Sequence, residues 1–346
     1  MLVGNNSAPV KASSVSYSQS DSWTSAVERG QSSDENESAR NWLDGIYGST
    51  RTIIKYPTFQ AKTYSMNYIS HNDAFNIAKA MTENGNIYGL TKSADSHLMK
   101  NSEWGAVAYL SQSKYGLNGT DITVNNINLN SGGTARTNTV GKSGVDSIYA
   151  VTGCTTASAN DGESVQTMAS INGTTGNTAN NGVYTWNQLN GCMASCTGTM
   201  YGIYDLSGGT WERIAAYIAN ENENLKKYGV SICYDGDILR KTSTKYATIY
   251  PFDSSTDNSA NINEAGGNNY KKNILIYGDG IYETSMQGNG VTSWYKDYST
   301  YPKADNPFLV RGGNFSYNSM SGLFSFARNT ATSTYYSGFR VVLVVS

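Results

Sequence analysis

Four cysteines carry the most reactive side chains of this chain, and they could form disulfides or hold a metal ion. Cys154, Cys192, Cys196 and Cys233 lie in segments with the composition of loops. An even number of cysteines in such segments favours two disulfides and an oxidising compartment. The spacing of Cys192 and Cys196 also suits zinc, although structural zinc sites usually offer two close pairs. The preferred pairing is Cys154–Cys192 with Cys196–Cys233, but sequence spacing does not determine connectivity.

The two histidines offer no pattern for acid–base catalysis. His71 and His97 lie in regions predicted to be helical, and the sequence has neither a Ser/His/Asp order nor a glycine-rich phosphate loop. We therefore expect both to be surface or capping residues, and we expect the chain not to be an enzyme.

A turn at residues 202–212 places two glycines just before Trp211 and Glu212. Burial of a carboxylate directly after a tryptophan is costly unless the carboxylate is paired or binds a metal. The turn therefore predicts a specific partner for Glu212.

The composition restricts the partners that the surface can recognise. Charged residues make up 15% of the chain, and the net charge is −2 without a basic cluster. Nucleic acid requires clustered Lys and Arg, so we exclude it as a partner. The polar surface must come from Ser, Thr, Asn, Gly and the 26 Tyr. Antibody paratopes use these residues, but so do ordinary extracellular surface proteins.

The chain divides into a polar N-terminal arm, residues 1–49, and a larger body, residues 50–346. Residues 51–59 have the pattern of a strand, and the composition of residues 118–191 indicates long loops or short hairpins. No stretch approaches the roughly 20 apolar residues of a membrane helix. No signal peptide is visible, and the polar start suggests that a native leader or anchor has been removed.

Two helices are predicted in the body. The first begins at Ser70 or Asn72 and has apolar residues at helical spacing. The second begins at Ser93 or Asp95 and ends at Gly116.

Two framework blocks bracket a polar run near the C-terminus. The Arg-Gly-Gly of residues 311–313 opens this part, and the apolar residues 338–343 close it as a predicted buried strand. The run between them is too polar to be core, which favours a displayed binding surface. We name residues 311–340 the variable segment. The strand at residues 52–56 is expected to pair with residues 338–345.

Three segments in this order resemble the formylglycine-generating-enzyme (sulfatase-modifying factor) branch of the C-type lectin fold. Residues 99–109 resemble its LPTEAEWEYAA helix, and residues 202–212 resemble GLYDMSGNVWEW. Residues 311–315, 326–328 and 338–340 resemble RGGSW…R…GFR. The resemblance implies an α+β domain with two helices, short mixed or antiparallel sheets and long loops.

The oxidase activity of that branch is not expected here. It uses a pair of copper-binding cysteines close to the C-terminus, whereas this chain has no cysteine after Cys233. Thiolates carry that chemistry, so their absence removes it.

The resemblance also implies a structural calcium ion. Its ligands would be Asp205, Glu212 and the carbonyls of Gly208 and Thr210, although Gly209 stands where the family usually has Asn. The alternative is a carboxylate satisfied by N–H groups of the turn. The sugar-binding triplets of calcium lectins are absent, so calcium-mediated sugar binding is not expected.

Within this branch, the variable segment resembles that of variable proteins of diversity-generating retroelements. Those proteins display a ligand-binding face whose residues are rewritten by adenine-directed mutagenesis. Residues 311–313, 321–324 and 338–340 match the unchanging framework. Twelve residues between them are reachable from an Asn codon and are the expected ligand contacts: Ser316, Tyr317, Asn318, Ser319, Ser325, Ala327, Arg328, Asn329, Thr330, Thr334, Tyr335 and Tyr336. Nearby, Trp294 is expected to pack, whereas Tyr295, Tyr298 and Tyr301 are expected to be exposed.

The expected function is therefore a receptor or adhesin displayed on a bacterial or phage surface, with a protein or cell-surface ligand. Residues 100–116 resemble pilin-type variable proteins, which implies a type IV pilus or cell-envelope anchor upstream. The alternatives are a structural surface subunit of fixed specificity, or a divergent non-oxidase enzyme of the sulfatase-modifying-factor branch.

Overall fold

The computed structural model describes part of the chain. The described residues are 4–5, 14–18, 50–54, 64–65, 69–84, 86, 88–91, 93–120, 122, 154–156, 183–185, 191–208, 210–252, 273, 278–281, 297–314, 321–332 and 337–344. In this part the protein is α+β, with three α-helices and several small sheets. No helix of the described residues is both long and apolar enough to span a membrane.

The described residues form three α-helices and fifteen strands, numbered here in chain order. The helices are α1 (His71–Ala80), α2 (Asn101–Gln112) and α3 (Glu223–Cys233). The strands are β1 (Gly4–Asn5), β2 (Ser14–Ser18), β3 (Thr50–Ile54), β4 (Tyr64–Ser65), β5 (Asp95–Leu98), β6 (Cys154–Thr156), β7 (Val183–Thr185), β8 (Trp211–Ile218), β9 (Tyr234–Asp235), β10 (Ile238–Leu239), β11 (Thr248–Tyr250), β12 (Phe308–Arg311), β13 (Phe326–Asn329), β14 (Ser337–Phe339) and β15 (Val341–Val344).

Strand β8 organises the central five-stranded sheet. Its strand order is β11-β8-β12-β13, and β14 also pairs with β8. β12 runs antiparallel to β8 along one edge. β14 and β11 run parallel to its first and last three residues, so both lie along the opposite edge. All eight residues of β8 are buried, as expected for a strand with elements packed on both faces.

The sheet separates two apolar clusters, because successive side chains of a strand point to opposite faces. Ala215 and Tyr217 of β8 join the cluster beneath α1 and α3. Ile214, Ala216 and Ile218 join the cluster that contains Trp104 of α2 and Phe326 of β13. Of the variable segment, Phe339 of β14 therefore lies in the first cluster and Phe326 of β13 in the second, whereas Ala327 packs in a third, smaller cluster.

Helix α1 confirms the first predicted helix. Its N-cap is Ser70, whose hydroxyl accepts a hydrogen bond from Asp73 N at 3.2 Å. Such a bond satisfies one of the free N–H groups in the first turn of a helix. The helix buries Ala74, Phe75 and Ala78 against the core, as its apolar spacing predicts.

The second predicted helix begins later than expected. Residues Asp95–Leu98 form β5, which pairs antiparallel with β15, and α2 begins only at Asn101. Glu103 accepts a hydrogen bond from Lys100 N at 2.9 Å, which helps to define this N-terminus. The prediction of a start at Ser93 or Asp95 is wrong, because residues 95–98 pair with strand β15 of the C-terminal block instead of forming the first turn of the helix.

Helix α3 is an element that the sequence analysis does not predict. Asn222 caps it by accepting a hydrogen bond from Asn224 N at 2.9 Å, and Leu225, Tyr228 and Ile232 are buried at helical spacing. Gly229 departs from helical geometry inside it. The Phe308 ring packs where a side chain at this position would lie, since an added Cβ would be 2.4 Å from that ring.

The predicted pairing between the first strand of the body and the C-terminal block is wrong. β3 pairs with β2 of the N-terminal arm, and β15 pairs with β5. The arm also contributes β1, which pairs with β4. Strand β15 therefore pairs with the residues just before α2 and not with the first strand of the body.

Candidate functional site

Both ends of the variable segment meet at one residue of β8. Arg311, at the end of β12, lies opposite Glu212, and Gly338 of β14 lies opposite the same residue on the other edge. Residues 312–337 therefore leave and return to a single point of the sheet. Between these ends, β13 pairs with β12 and buries Phe326 and Ala327. The exposed positions of such a segment can change without moving the strands that hold it.

The closing end of the segment is fixed by a buried ion pair. Arg340 donates from Nε to Glu212 Oε2 at 2.8 Å and from Nη2 to Oε1 at 2.6 Å. Nη2 also lies 3.1 Å from the carbonyl oxygens of Tyr204 and Asp205, which accept hydrogen bonds from it. Burial raises the pKa of Glu212, and the Arg340 guanidinium opposes this shift. The turn at 202–212 and the closing block are thus joined through charge-assisted hydrogen bonds.

Of the four predicted calcium ligands, Glu212 is already engaged by a cation of the chain itself. Both carboxylate oxygens of Glu212 are engaged by Arg340, and the Asp205 carbonyl accepts from the same guanidinium. The carbonyls of Gly208 and Thr210 stay a prediction as ligands; the amide of Gly208 donates to Gly312 O at 2.9 Å. Within the residues that the structure describes, no three His, Cys, Asp or Glu side chains are grouped to hold a metal. The partner that the buried carboxylate requires is Arg340.

Arg311 fixes the opening end of the segment. It is fully buried, and its guanidinium donates to the carbonyl oxygens of Asp279 at 2.6 Å, Phe324 at 3.2 Å and Ser325 at 3.3 Å. It lies 5.7 Å from the ring centres of both Trp104 and Phe326. Only a planar guanidinium offers several donors in its plane and two faces for aromatic rings.

A third arginine holds the later part of the segment. Arg213 Nη1 lies 2.6 Å from His71 Nδ1 and donates to Asn329 Oδ1 at 3.2 Å, while Nη2 donates to Thr332 O. His71 Nε2 donates to Leu309 O at 3.2 Å, so Nδ1 is the nitrogen that accepts from Arg213. Arg213 and the neutral imidazole together tie residues 329–332 to β8 and α1.

The structure places five of the twelve predicted ligand contacts. Ser325 and Ala327 are buried: the Ser325 hydroxyl donates to Tyr298 O at 3.0 Å, and Ala327 packs with Trp211. The prediction that both are exposed ligand contacts is wrong. Arg328, Asn329 and Thr330 are partly exposed. Seven others lie outside the described residues: Ser316, Tyr317, Asn318, Ser319, Thr334, Tyr335 and Tyr336.

Because neighbouring residues of the segment differ in burial, we expect them to differ in how well they tolerate substitution. We expect Arg328→Ala and Thr330→Ala to change the free energy of unfolding by less than about 0.5 kcal/mol, because neither side chain is buried. We expect Ala327→Tyr to destabilise by about 1–3 kcal/mol or more, because Ala327 packs with Trp211 and Val310. Urea titration of the three variants measures the contrast. Equal losses at Ala327 and Arg328 would contradict this assignment.

The aromatic residues before the segment are less exposed than predicted. Tyr301 is fully buried, and its ring centre lies 6.0 Å from that of Tyr250. Tyr298 is half-buried and packs edge to face against Trp211, with ring centres 6.1 Å apart. Trp294 and Tyr295 lie outside the described residues.

The predicted Cys196–Cys233 disulfide is not formed in the structure, in which both residues are thiols. Cys196 and Cys233 belong to the clusters on opposite faces of the sheet, so the Cys196–Cys233 pairing is wrong. Burial raises the pKa of the Cys233 thiol, which disfavours the thiolate that reacts. Strand β6, which begins with Cys154, contacts the 3-10 helix Gly191–Ala194, so the Cys154–Cys192 pairing stays a prediction for oxidising conditions.

Both histidines are buried rather than at the surface. His97 lies between two carboxylates, with Nε2 donating to Glu103 at 3.0 Å and Nδ1 3.3 Å from Asp95. Burial raises the pKa of Glu103, but the hydrogen bonds from His97 and Lys100 N outweigh it, so that the pKa of Glu103 is lowered. His97 therefore links β5 to the start of α2. Only 2% of its surface is exposed, which fits this structural link.

His71 predicts a loss of stability in mild acid. Burial, and then the Arg213 charge, lower the pKa of His71 well below its ordinary value of 6.5. The unfolded chain thus binds a proton below pH 6.5 that the folded protein does not, so stability falls as the pH drops through this value. The slope is about 1.4 kcal/mol per pH unit until the folded protein also takes up the proton. Urea titrations between neutral and mildly acidic pH measure this slope.

The control for this prediction is His71→Gln. It removes the titrating group, so its stability above the range of carboxylate titration is expected to be flatter with pH than that of the wild type. An identical slope in the variant would assign the acid sensitivity to other groups.

The comparisons with known proteins identify no family for this chain. No protein-family model matches the chain, and no curated protein sequence matches it.

Proposed function

We propose that the chain is a surface-displayed ligand-binding protein in which residues 311–340 form the binding face of a C-type lectin-like domain. One observation carries the proposal: Arg311 and Gly338 lie on either side of Glu212, so the segment is closed at its base by framework residues. Antibody domains use the same division, in which loops of changing sequence leave an unchanging scaffold.

The buried arginines support this division. Arg311, Arg213 and Arg340 hold the opening, later and closing parts of the segment through backbone carbonyls, His71 or the buried Glu212. Arg213 also donates to the side chain of Asn329, so this position is less free to vary. Backbone carbonyls are available whatever side chain their residue carries. Side chains at Arg328 and Thr330 can therefore change while the backbone keeps its bonds.

The ligand is proposed to be a protein or another cell-surface molecule. Eight of the twelve predicted ligand contacts are Tyr, Ser or Asn, and such side chains combine contact area with adaptable hydrogen bonding. The low charge of the chain supports an apolar and hydrogen-bonded contact over an electrostatic one. The proposed location is extracellular, on a bacterial or phage surface.

The DNA beside the gene tests the proposal. A reverse-transcriptase gene and an imperfect repeat of the sequence encoding residues 311–340 are expected there. Differences between the repeat and the gene should fall at adenines, in codons for partly exposed positions such as Arg328 and Thr330. The absence of both elements, or differences concentrated at Arg311, Phe324 and Arg340, would overturn diversification and leave a surface subunit of fixed specificity.

A further inference from the structure

We infer that Arg340 is a built-in cation: its guanidinium fills a cluster of oxygen atoms in the 204–212 turn that would also suit a divalent metal ion. The junction at the base of the variable segment therefore depends on no metal ion. This inference stands on the geometry of the turn and does not rest on the proposed function.

Four oxygen atoms converge on this guanidinium. They are both carboxylate oxygens of Glu212 and the carbonyl oxygens of Tyr204 and Asp205. Three of them lie between 2.6 and 3.1 Å from one atom, Nη2. A bidentate carboxylate with backbone carbonyls is also a donor set that hard cations prefer. We call these four oxygen atoms the cation cage. The cation that they bind is the Arg340 guanidinium.

Burial makes the charge of Arg340 necessary. Glu212 is fully buried and Arg340 is 3% exposed. A buried carboxylate without an opposite charge is strongly unfavourable, and so is a second cation beside a buried guanidinium. The cage therefore needs one positive charge and excludes another. A metal ion could enter only if Arg340 left.

The position of the cage connects both ends of the variable segment. Arg340 directly follows β14, and Gly208 of the same turn donates from N to Gly312 O, just after β12. The cation thus holds the turn against the residue where the segment opens and the residue where it closes. A covalently attached cation keeps this arrangement in media without calcium and in the presence of chelators.

A matched pair of variants at position 340 tests the role of charge. Arg340→Lys keeps a positive charge, whereas Arg340→Met has a similar length and none. We expect the melting temperature of Arg340→Lys to lie several degrees above that of Arg340→Met, and that of the wild type to be the same with EDTA and with millimolar CaCl2. A chelator-sensitive wild type, or a lysine variant no more stable than the methionine variant, would overturn the inference.

The variant Arg340→Ala allows a second measurement, which can be made even if this variant is unstable. Arg340→Ala removes the cation and leaves the Glu212 carboxylate with its two carbonyl neighbours. Millimolar CaCl2 is expected to raise the melting temperature or the refolding yield of Arg340→Ala, and to have no effect on the wild type or on Arg340→Ala/Glu212→Gln. An equal calcium response in the double variant would show that the cage is not where calcium acts, which contradicts the inference.

Discussion

Replacement of Gly105 by alanine is expected to destabilise the protein by about 1–3 kcal/mol or more, the usual cost of overpacking a core. Helix propensity alone predicts the opposite sign, since alanine is favoured over glycine by about 1 kcal/mol inside a helix. The reason is the close approach of another part of the chain. A Cβ on Gly105 would lie 2.2 Å from Gly278 O and 2.4 Å from Asp279 Cα. Both are backbone atoms, which cannot rotate away as a side chain can.

Ala106→Gly is the matched control for this prediction. Ala106 is the next residue of α2 and is exposed, so its replacement reports the helix propensity of the same turn without the contact. We expect it to cost about 1 kcal/mol. Urea titration of both variants separates the two effects. A stabilised Gly105→Ala would show that residues 278–279 do not pack against the helix.

The same contact connects α2 to the variable segment. Asp279 O accepts a hydrogen bond from Arg311 Nη2, so the backbone that packs on Gly105 also orients the arginine that opens the segment. Displacement of residues 278–279 by an added methyl group should therefore disturb Arg311 as well. A change in the near-ultraviolet circular dichroism of Trp104, which lies against Arg311, would accompany the loss of stability.

Local signals in the sequence are sufficient for some elements. Ser70 followed by apolar residues at helical spacing predicts α1, because both the cap and the buried face lie within the helix. The start of α2 cannot be predicted in this way. Asp95–Leu98 is a strand because β15 pairs with it, more than two hundred residues later in the chain. The signals of α3 are present in Asn222 and the spacing of Leu225, but Gly229 interrupts the pattern.

Single residues of the candidate site show the same limit: the local sequence does not predict their distant partners. The position of Glu212 after a tryptophan predicts that it is buried and needs a partner, but not whether the partner is a metal or Arg340. The closing block reads as one buried strand, whereas Arg340 turns into the core between β14 and β15, and Leu343 beyond it is 42% exposed. Ser325 has the composition of a surface residue, and its burial depends on the backbone of Tyr298.

Arg311→Lys is expected to destabilise the protein by about 3 kcal/mol or more, although the charge is kept. Hydrogen bonds to charged groups contribute about 1.5–3 kcal/mol each, and a buried acceptor that loses its donor incurs a desolvation cost. The Arg311 guanidinium serves the carbonyl oxygens of Asp279, Phe324 and Ser325 at once. One ammonium on a shorter side chain cannot reach all three, and it lacks the flat faces that meet Trp104 and Phe326.

Arg328→Lys is the control, because Arg328 lies opposite Leu309 on the neighbouring strand and is partly exposed. Its free energy of unfolding should change by less than about 0.5 kcal/mol. Urea titration at neutral pH compares the two variants with the wild type. If Arg311→Lys is as stable as Arg328→Lys, then charge alone fills the site, and the opening of the variable segment is not held by guanidinium geometry. A loss confined to Arg311→Lys would instead mean that this arginine must stay unchanged while exposed neighbours such as Arg328 can vary.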